Sequence, residues 1–177
     1  MKRTFLAAAF LALTTLLSPA ASDYLLELDG IKGESTDDAH RGAIEISSFS
    51  WGVSNSSTLG GGGTAGKATF KEFTVTKKTD SSCPELFIRC ATGQHIPSAV
   101  LHVRKAGAAG KPETYLKITL TDILISSYQS QGTGGTPGDT VPEQAISFSY
   151  AKIEYEYTAP DGLVTKTGYD LAIGKRI

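Results

Sequence analysis

Few side chains in this sequence combine a reactive type with a useful spacing. The thiols are Cys83 and Cys90, and the imidazoles are His40, His95 and His102. A thiol at a helix start has a lowered pKa and gains nucleophilic character, so Cys83 and His95 would make a thiol–imidazole pair if the fold joined them. The chain offers no recognisable orienting third group and no Gly-x-Ser-x-Gly elbow, so no catalytic residue is assigned. The histidines lack the spacing of the common zinc motifs. Surface or interface roles are expected of them, and neither metal nor cofactor is expected. Gly61–Gly62–Gly63–Thr64–Ala65–Gly66–Lys67 has the glycine and lysine spacing of a phosphate-binding loop. Ala68 follows where the motif needs a magnesium-binding hydroxyl, and the next residues alternate like a strand, whereas a phosphate needs a helix N-terminus. The segment reads as a loop. Glu34–Ser35–Thr36–Asp37–Asp38 is rich in oxygen but lacks the spacing and closing glutamate of a calcium loop, and it reads as a solvated loop. Asn55–Ser56–Ser57 matches the short glycosylation acceptor pattern.

The elements that would carry these residues are mostly strands. Asp23 to Asp29, Ala43 to Val53, Lys67 to Lys77, Ser98 to Lys105, Thr114 to Ser127 and Ala145 to Tyr157 alternate with period two. They are rich in β-branched and aromatic residues. Glycine-rich stretches separate most of them. Several switch parity midway: Ile44 and Ile46 give way to Phe49, Trp51 and Val53; Ala68 and Phe70 to Phe73 and Val75; Leu116, Ile118 and Leu120 to Ile123 and Ile125; Ile146, Phe148 and Tyr150 to Ile153, Tyr155 and Tyr157. A change of buried face needs a bulge, a corner or a second surface. The expected fold is mainly β, a two-sheet β-barrel with apolar surface left over for partners. One short helix interrupts the strands. Ser82 or Cys83 caps it, Pro84 suits its first position, Leu86, Phe87, Cys90 and Ala91 recur at helical spacing, and Gly93 ends it. On such a helix the Cys83 and Cys90 Cα atoms lie roughly 10 Å apart, beyond disulfide reach.

Composition narrows the class. The 177 residues are 40% hydrophobic and 20% charged, which suits one packed domain rather than a disordered chain. A formal charge of −1 gives no basic excess for nucleic acid. The first 22 residues stand apart. Lys2 and Arg3 precede an apolar run from Phe5 to Leu17, and small residues follow from Ser18 to Ser22. This is the three-part pattern of a cleaved secretory signal, and the run is short for a membrane span. The expected division is a signal peptide over 1–22 and a domain over 23–177, secreted to the periplasm or the exterior, with no stable membrane insertion after cleavage. Cleavage leaves 17 − 2 = 15 basic residues against 18 acidic ones, a charge of −3.

Several segments, in order, resemble one family. These are Leu28–Asp29–Gly30–Ile31–Lys32–Gly33–Glu34–Ser35, Phe49–Ser50–Trp51–Gly52–Val53–Ser54, the glycine loop from Gly60 to Lys67, and Phe73–Thr74–Val75–Thr76–Lys77. The helical stretch from Pro84 to His95, Val103–Arg104–Lys105–Ala106–Gly107, Ile153–Glu154–Tyr155–Glu156–Tyr157 and Gly168–Tyr169–Asp170–Leu171 follow. Together they are similar to Hcp, the haemolysin-coregulated protein family of type VI secretion systems, across essentially residues 23–177. Phe49 stands where family members often carry tryptophan.

The resemblance implies a β-barrel with one flanking helix. It implies a homo-oligomer, a six-membered ring that stacks into a tube, capped by a spike protein and carrying effector proteins in its lumen. It implies no catalytic residues. Ser50 matches a serine expected to line the pore and touch cargo. The loop after Gly33, including Glu34, Ser35, Thr36, Asp37 and Asp38, and the glycines Gly60, Gly61, Gly62 and Gly63 are implied in ring-to-ring contact. The leader departs from the family, whose members are normally loaded in the cytoplasm. The alternative reading is therefore an exported Hcp-like binding module that builds no tube.

Overall fold

The alternating segments do become strands, in a structure (a computed structural model) that describes residues 23–56, 66–107, 111–132 and 141–177. The leader and Gly60 to Gly63 lie outside the described residues. In chain order the elements are β1 (Asp23–Leu28), β2 (Ile44–Ile46), β3 (Ser48–Ser50), β4 (Val53–Asn55), β5 (Ala68–Phe70) and β6 (Phe73–Lys78). Then come α1 (Cys83–Thr92), β7 (Ile96–Ala106), β8 (Pro112–Gln131), β9 (Glu143–Thr158), β10 (Val164–Asp170) and β11 (Lys175–Arg176). The mainly β class with one short helix is as expected. Ala68 opens a strand, so no helix begins directly after Lys67.

The layering differs from the expectation. All the described antiparallel ladders but one join a single nine-stranded sheet, ordered β11-β10-β9-β8-β7-β1-β2, with β6 also on β9 and β3 on β6. The remaining pair, β4 and β5, forms its own small sheet. The ladders branch at β9 and do not by themselves close into a barrel. Two strands escaped the sequence reading. β10 and β11 are mostly exposed and polar, so they show little of the alternation that marks a half-buried strand.

One face of the large sheet carries the core. Ile44, Phe73, Val75, Ile96, Ile118, Leu120, Ile123, Ile146 and Phe148 lie there almost fully buried, joined by Leu86 from the helix. The parity switch of β8 has a simple cause. Leu120 and Ile123 are both buried, with two residues between them instead of one. The same happens on both neighbours: Ile96 and Ala99 on β7, Tyr150 and Ile153 on β9. The rows match across the sheet, Ile96 opposite Ile123 opposite Tyr150, and Ala99 opposite Leu120 opposite Ile153. Three strands thus take the extra residue at one level and keep register. Asp122, at φ 53, makes the bend, in a backbone region that aspartate enters more readily than most residues. Tyr150 donates its hydroxyl proton to the Lys71 carbonyl at 3.1 Å, and burial holds its pKa up at about 12.

The corner corrects part of the sequence reading. On β8 both apolar sets are satisfied within one copy, so its switch offers nothing to a partner. The leftover apolar surface lies elsewhere and includes Val53, Tyr157, Leu163 and Val164, all substantially exposed.

The helix forms where expected. Ser82 is its N-cap residue, Pro84 sits in the first turn, and Gly93 closes it at φ 65. Leu86 reaches the core, and Phe87 meets Tyr128 edge-on with ring centroids 6.0 Å apart. Cys83 and Cys90 are both free.

Candidate functional site

The residues singled out for chemistry separate into four places. Cys83 and His95 do not meet. His95 Nδ1 pairs with Asp122 Oδ1 at 2.6 Å on the exposed corner. Cys83 is buried in a polar cluster at the helix start. Lys77 Nζ donates to Cys83 Sγ at 3.2 Å, to Asp80 Oδ1 at 2.6 Å and to the Lys78 carbonyl at 2.7 Å. The Cys83 thiol lies 3.4 Å from Gln144 Oε1. Lys77 is 1% exposed, and charged side chains are that deeply buried only when paired. Burial pushes the Asp80 carboxyl up. Hydrogen bonds from Lys77 and Ser82 and the lysine's charge outweigh it, leaving the pKa below the usual carboxylate value. This cluster fastens the end of β6 to the helix, and it holds the thiol buried between the Lys77 ammonium and Asp80 Oδ1, the latter at 3.6 Å.

The acidic loop is solvated at Glu34, Thr36 and Asp38 but anchored at Ser35 and Asp37. Ser35 is buried, exchanging backbone hydrogen bonds with Ala43 and Gly42. Asp37 Oδ2 accepts from Arg104 Nη1 at 2.6 Å, and its other oxygen accepts the amides of Ala39 and His40. The Arg104 hydrogen bond, chiefly, holds Asp37 below the ordinary carboxylate range. Glu34 Oε1 accepts the Ser81 amide at 2.9 Å. Thr36 and Asp38 remain exposed. Gly33 is needed for this packing: a Cβ there would stand 2.4 Å from the Ala43 carbonyl oxygen.

Ser50 lies on the outward face of β3, exposed. Its register partner is Thr74, and Thr74 is opposite Ser147 on β9 and Ser127 beyond it on β8. The next row holds Ser48, Thr76 and Ala145. Thr74 and Ser147 share a hydroxyl hydrogen bond at 3.0 Å, and Ser126 Oγ donates to the Ser147 carbonyl at 3.1 Å. Four strands thus turn a band of small, uncharged hydroxyls outward. Sequence reasoning found only Ser50. The rest was visible in the alternate positions of Phe73–Thr74–Val75–Thr76 and Ile146–Ser147–Phe148–Ser149, whose partners were assigned to the core.

A contrasting surface lies between the small sheet and β9–β10. Trp51, Val53, Phe70, Ile153, Tyr155 and Tyr169 line a groove of about 280 Å³. Phe70 stacks on Tyr169 at 5.0 Å, and Trp51 tilts toward Tyr155 at 6.2 Å. Here Trp51, Val53 and Tyr155, from the second halves of two of the switched segments, are incompletely buried.

Comparison with known proteins decides the family. A family model described as type VI secretion system effector, Hcp, matches residues 25–157. The chain belongs to the Hcp family. Protein hcp1 of Pseudomonas aeruginosa is 36% identical over 159 residues, spanning 85% of this chain and 96% of that protein. The crystal structure of Hcp1 from Salmonella typhimurium superposes with a TM-score of 0.73 at 33% identity, over 89% of this chain and 99% of that one. A structure described as a type six secretion system protein gives 0.76 at 31% identity, over 89% and 100%. These Hcp-family relatives are thus matched nearly whole by 85–89% of this longer chain.

Proposed function

We propose that this Hcp-family chain is a structural subunit that assembles into rings and a stacked tube of a type VI secretion system. The band of small hydroxyls around Ser50 carries the reading, as the wall of the lumen. Ser48, Ser50, Thr74, Thr76 and Ser147 present short side chains without charge. Such a wall can hydrogen-bond water or cargo weakly and exchange those bonds readily, while offering no ion pair that would trap a passenger. The groove at Trp51, Val53 and Phe70 is the surface for a sister copy. Burial of aromatic side chains stabilises interfaces most strongly, and a ring needs two different patches meeting head to tail.

In this reading β2 and β3 act as one strand that completes the barrel. The Ser47 amide between them donates to the Thr76 carbonyl at 2.7 Å, bridging the β1–β2 and β3–β6 ladders. The Glu34 to Asp38 loop and Gly60 to Gly63 lie at ring-to-ring contacts, a spike protein caps the tube, and effectors ride inside it. The chain works as a carrier rather than an enzyme. The subunit is secreted and binds neither nucleic acid nor membrane in its working form. Among the described residues no helix is long and apolar enough to span a bilayer.

Electron microscopy of the purified protein tests the assembly. Rings that stack are expected, and Val53→Glu should disperse them. A monodisperse monomer at high protein concentration would overturn the tube reading. Ser50→Gln should keep the rings and weaken effector retention.

The leader favours a second reading. Residues 1–22 have the pattern of a cleaved export signal, and the chain is longer than its relatives. An exported binding module that keeps the fold without the tube would explain both. Mass spectrometry of the protein's N-terminus discriminates: a start near Ala21 or Asp23 is expected from cleavage, and an intact Met1 in exported protein rejects it.

A further inference from the structure

We infer that Glu27, His40 and His102 form a binding site for a divalent transition-metal cation of the zinc type. Glu27 lies on β1 and His102 on β7, on the outward face of their shared ladder. The packed loop after Gly33 brings His40 over them. His40 Nδ1 lies 2.8 Å from Glu27 Oε1, and His102 Nε2 lies 3.7 Å from Glu27 Oε2. The two imidazole centroids are 4.1 Å apart. One donor atom from each of the three residues falls within 4.8 Å of the other two. Around a tetrahedral zinc ion, donor atoms sit roughly 3.3 Å apart, given metal–ligand bonds near 2.0–2.1 Å.

The decisive observation is His102 Nε2. It is buried and has no hydrogen-bond partner. At 3.7 Å the Glu27 carboxylate is beyond hydrogen-bond reach. A buried polar nitrogen in this state costs free energy as either tautomer, since a donor lacks its acceptor or a lone pair its donor. A metal ion would satisfy the lone pair, and Glu27 supplies the anion. Lys117, opposite His102 on β8, is paired with Glu156 at 3.2 Å. A plain Glu27–His40 hydrogen bond with His102 packed beside it is the simpler account, and it leaves that nitrogen unexplained.

Two imidazoles and one carboxylate suit zinc, copper or nickel and discriminate against calcium and magnesium, which prefer all-oxygen shells. Binding would pin the loop carrying His40 to the sheet. The site spans two strands and a loop, so no local spacing motif marks it in the sequence.

Titration calorimetry of tag-free purified protein with Zn²⁺, alongside Co²⁺ absorption spectra, tests the site. One ion per chain, a raised Tm and tetrahedral Co²⁺ bands are expected, with no response to Ca²⁺. His40→Ala and His102→Ala should each weaken binding by more than about 10-fold, since even outer-sphere partners are worth that much. His95→Ala, at the Asp122 corner, should leave it unchanged. Should His102→Ala fail to fold, His40→Ala and Glu27→Gln decide the matter, because both positions are near the surface. Absence of saturable one-to-one binding, or an affinity unaltered in His40→Ala, overturns the inference.

Discussion

Two polar clusters sit at the edges of the core, and they are built on opposite terms. Around Lys77 every strong group is matched. The ammonium has a carboxylate, a carbonyl and a sulfur, and Gln144 donates from Nε2 to Thr79 Oγ1 at 2.6 Å. Around His102 one buried nitrogen has no hydrogen-bond partner. A fully satisfied buried network specifies a structure, whereas an unsatisfied buried atom marks a place where the isolated chain is incomplete. The first cluster therefore reads as structural, although it holds the thiol and the lysine that look more reactive in sequence. The second reads as a site, although its members looked unremarkable.

The most forceful way to break this contrast is to strip the first cluster of its carboxylate. Asp80→Ala leaves the Lys77 ammonium buried with neutral partners only. Removing one member of a buried ion pair costs about 3–5 kcal/mol, and chemical denaturation should register a loss near the lower end, because Asp80 is slightly exposed. A loss below about 1 kcal/mol would mean that water reaches Lys77 and that the cluster is not closed. The loop tested the same way should respond less. Asp37→Ala frees Arg104, whose remaining side-chain hydrogen bond among the described residues is a long one to the Pro112 carbonyl at 3.4 Å. A charged hydrogen bond is worth about 1.5–3 kcal/mol, so a loss near 2 kcal/mol is expected in the same denaturation series.

Acid sharpens the comparison without mutation. Asp80 and Asp37 both have folded pKa values below the ordinary 3.8. A carboxyl of this kind binds its proton more readily when unfolded, so its stabilisation is full above that ordinary value. It is lost as pH falls through the lower, folded values. Tm measured from neutral pH downward should hold until the ordinary carboxylate range and then drop. Asp80→Asn and Asp37→Asn should each flatten the drop, and an unchanged acid limb in both would show that other carboxyls control it.

Much of the fold was legible because burial writes a period into the chain. β1, β6, β8 and β9 announce themselves through alternation, and α1 through Pro84, Leu86 and Gly93. β10 was not legible, since a mostly exposed strand has no face to pattern. The corner was half legible. The parity switch in Leu120–Thr121–Asp122–Ile123 is plain, but only the matching switches on β7 and β9 show that it bends one core rather than feeding a partner. The candidate surfaces divide likewise. Ser50 was found through resemblance, while Thr74 and Ser147 joined it only through strand register. His40 and His102 were set aside because ligand spacing within the chain says nothing about a loop folding over a ladder.

The smallest expected effect tests the other half of the contrast. His40→Ala, measured without added metal, removes a hydrogen bond to a Glu27 side chain that is itself substantially exposed. Pairs of that kind contribute at most about 1 kcal/mol, and no buried charge is stranded by the change. Denaturation in the presence of a chelator should therefore separate the variant from the parent by less than 1 kcal/mol, well under the Asp80→Ala loss. A large loss instead would make His40 a structural clasp like Asp80. The two clusters would then be alike in kind, and the bare nitrogen of His102 would be strain that the loop's packing tolerates.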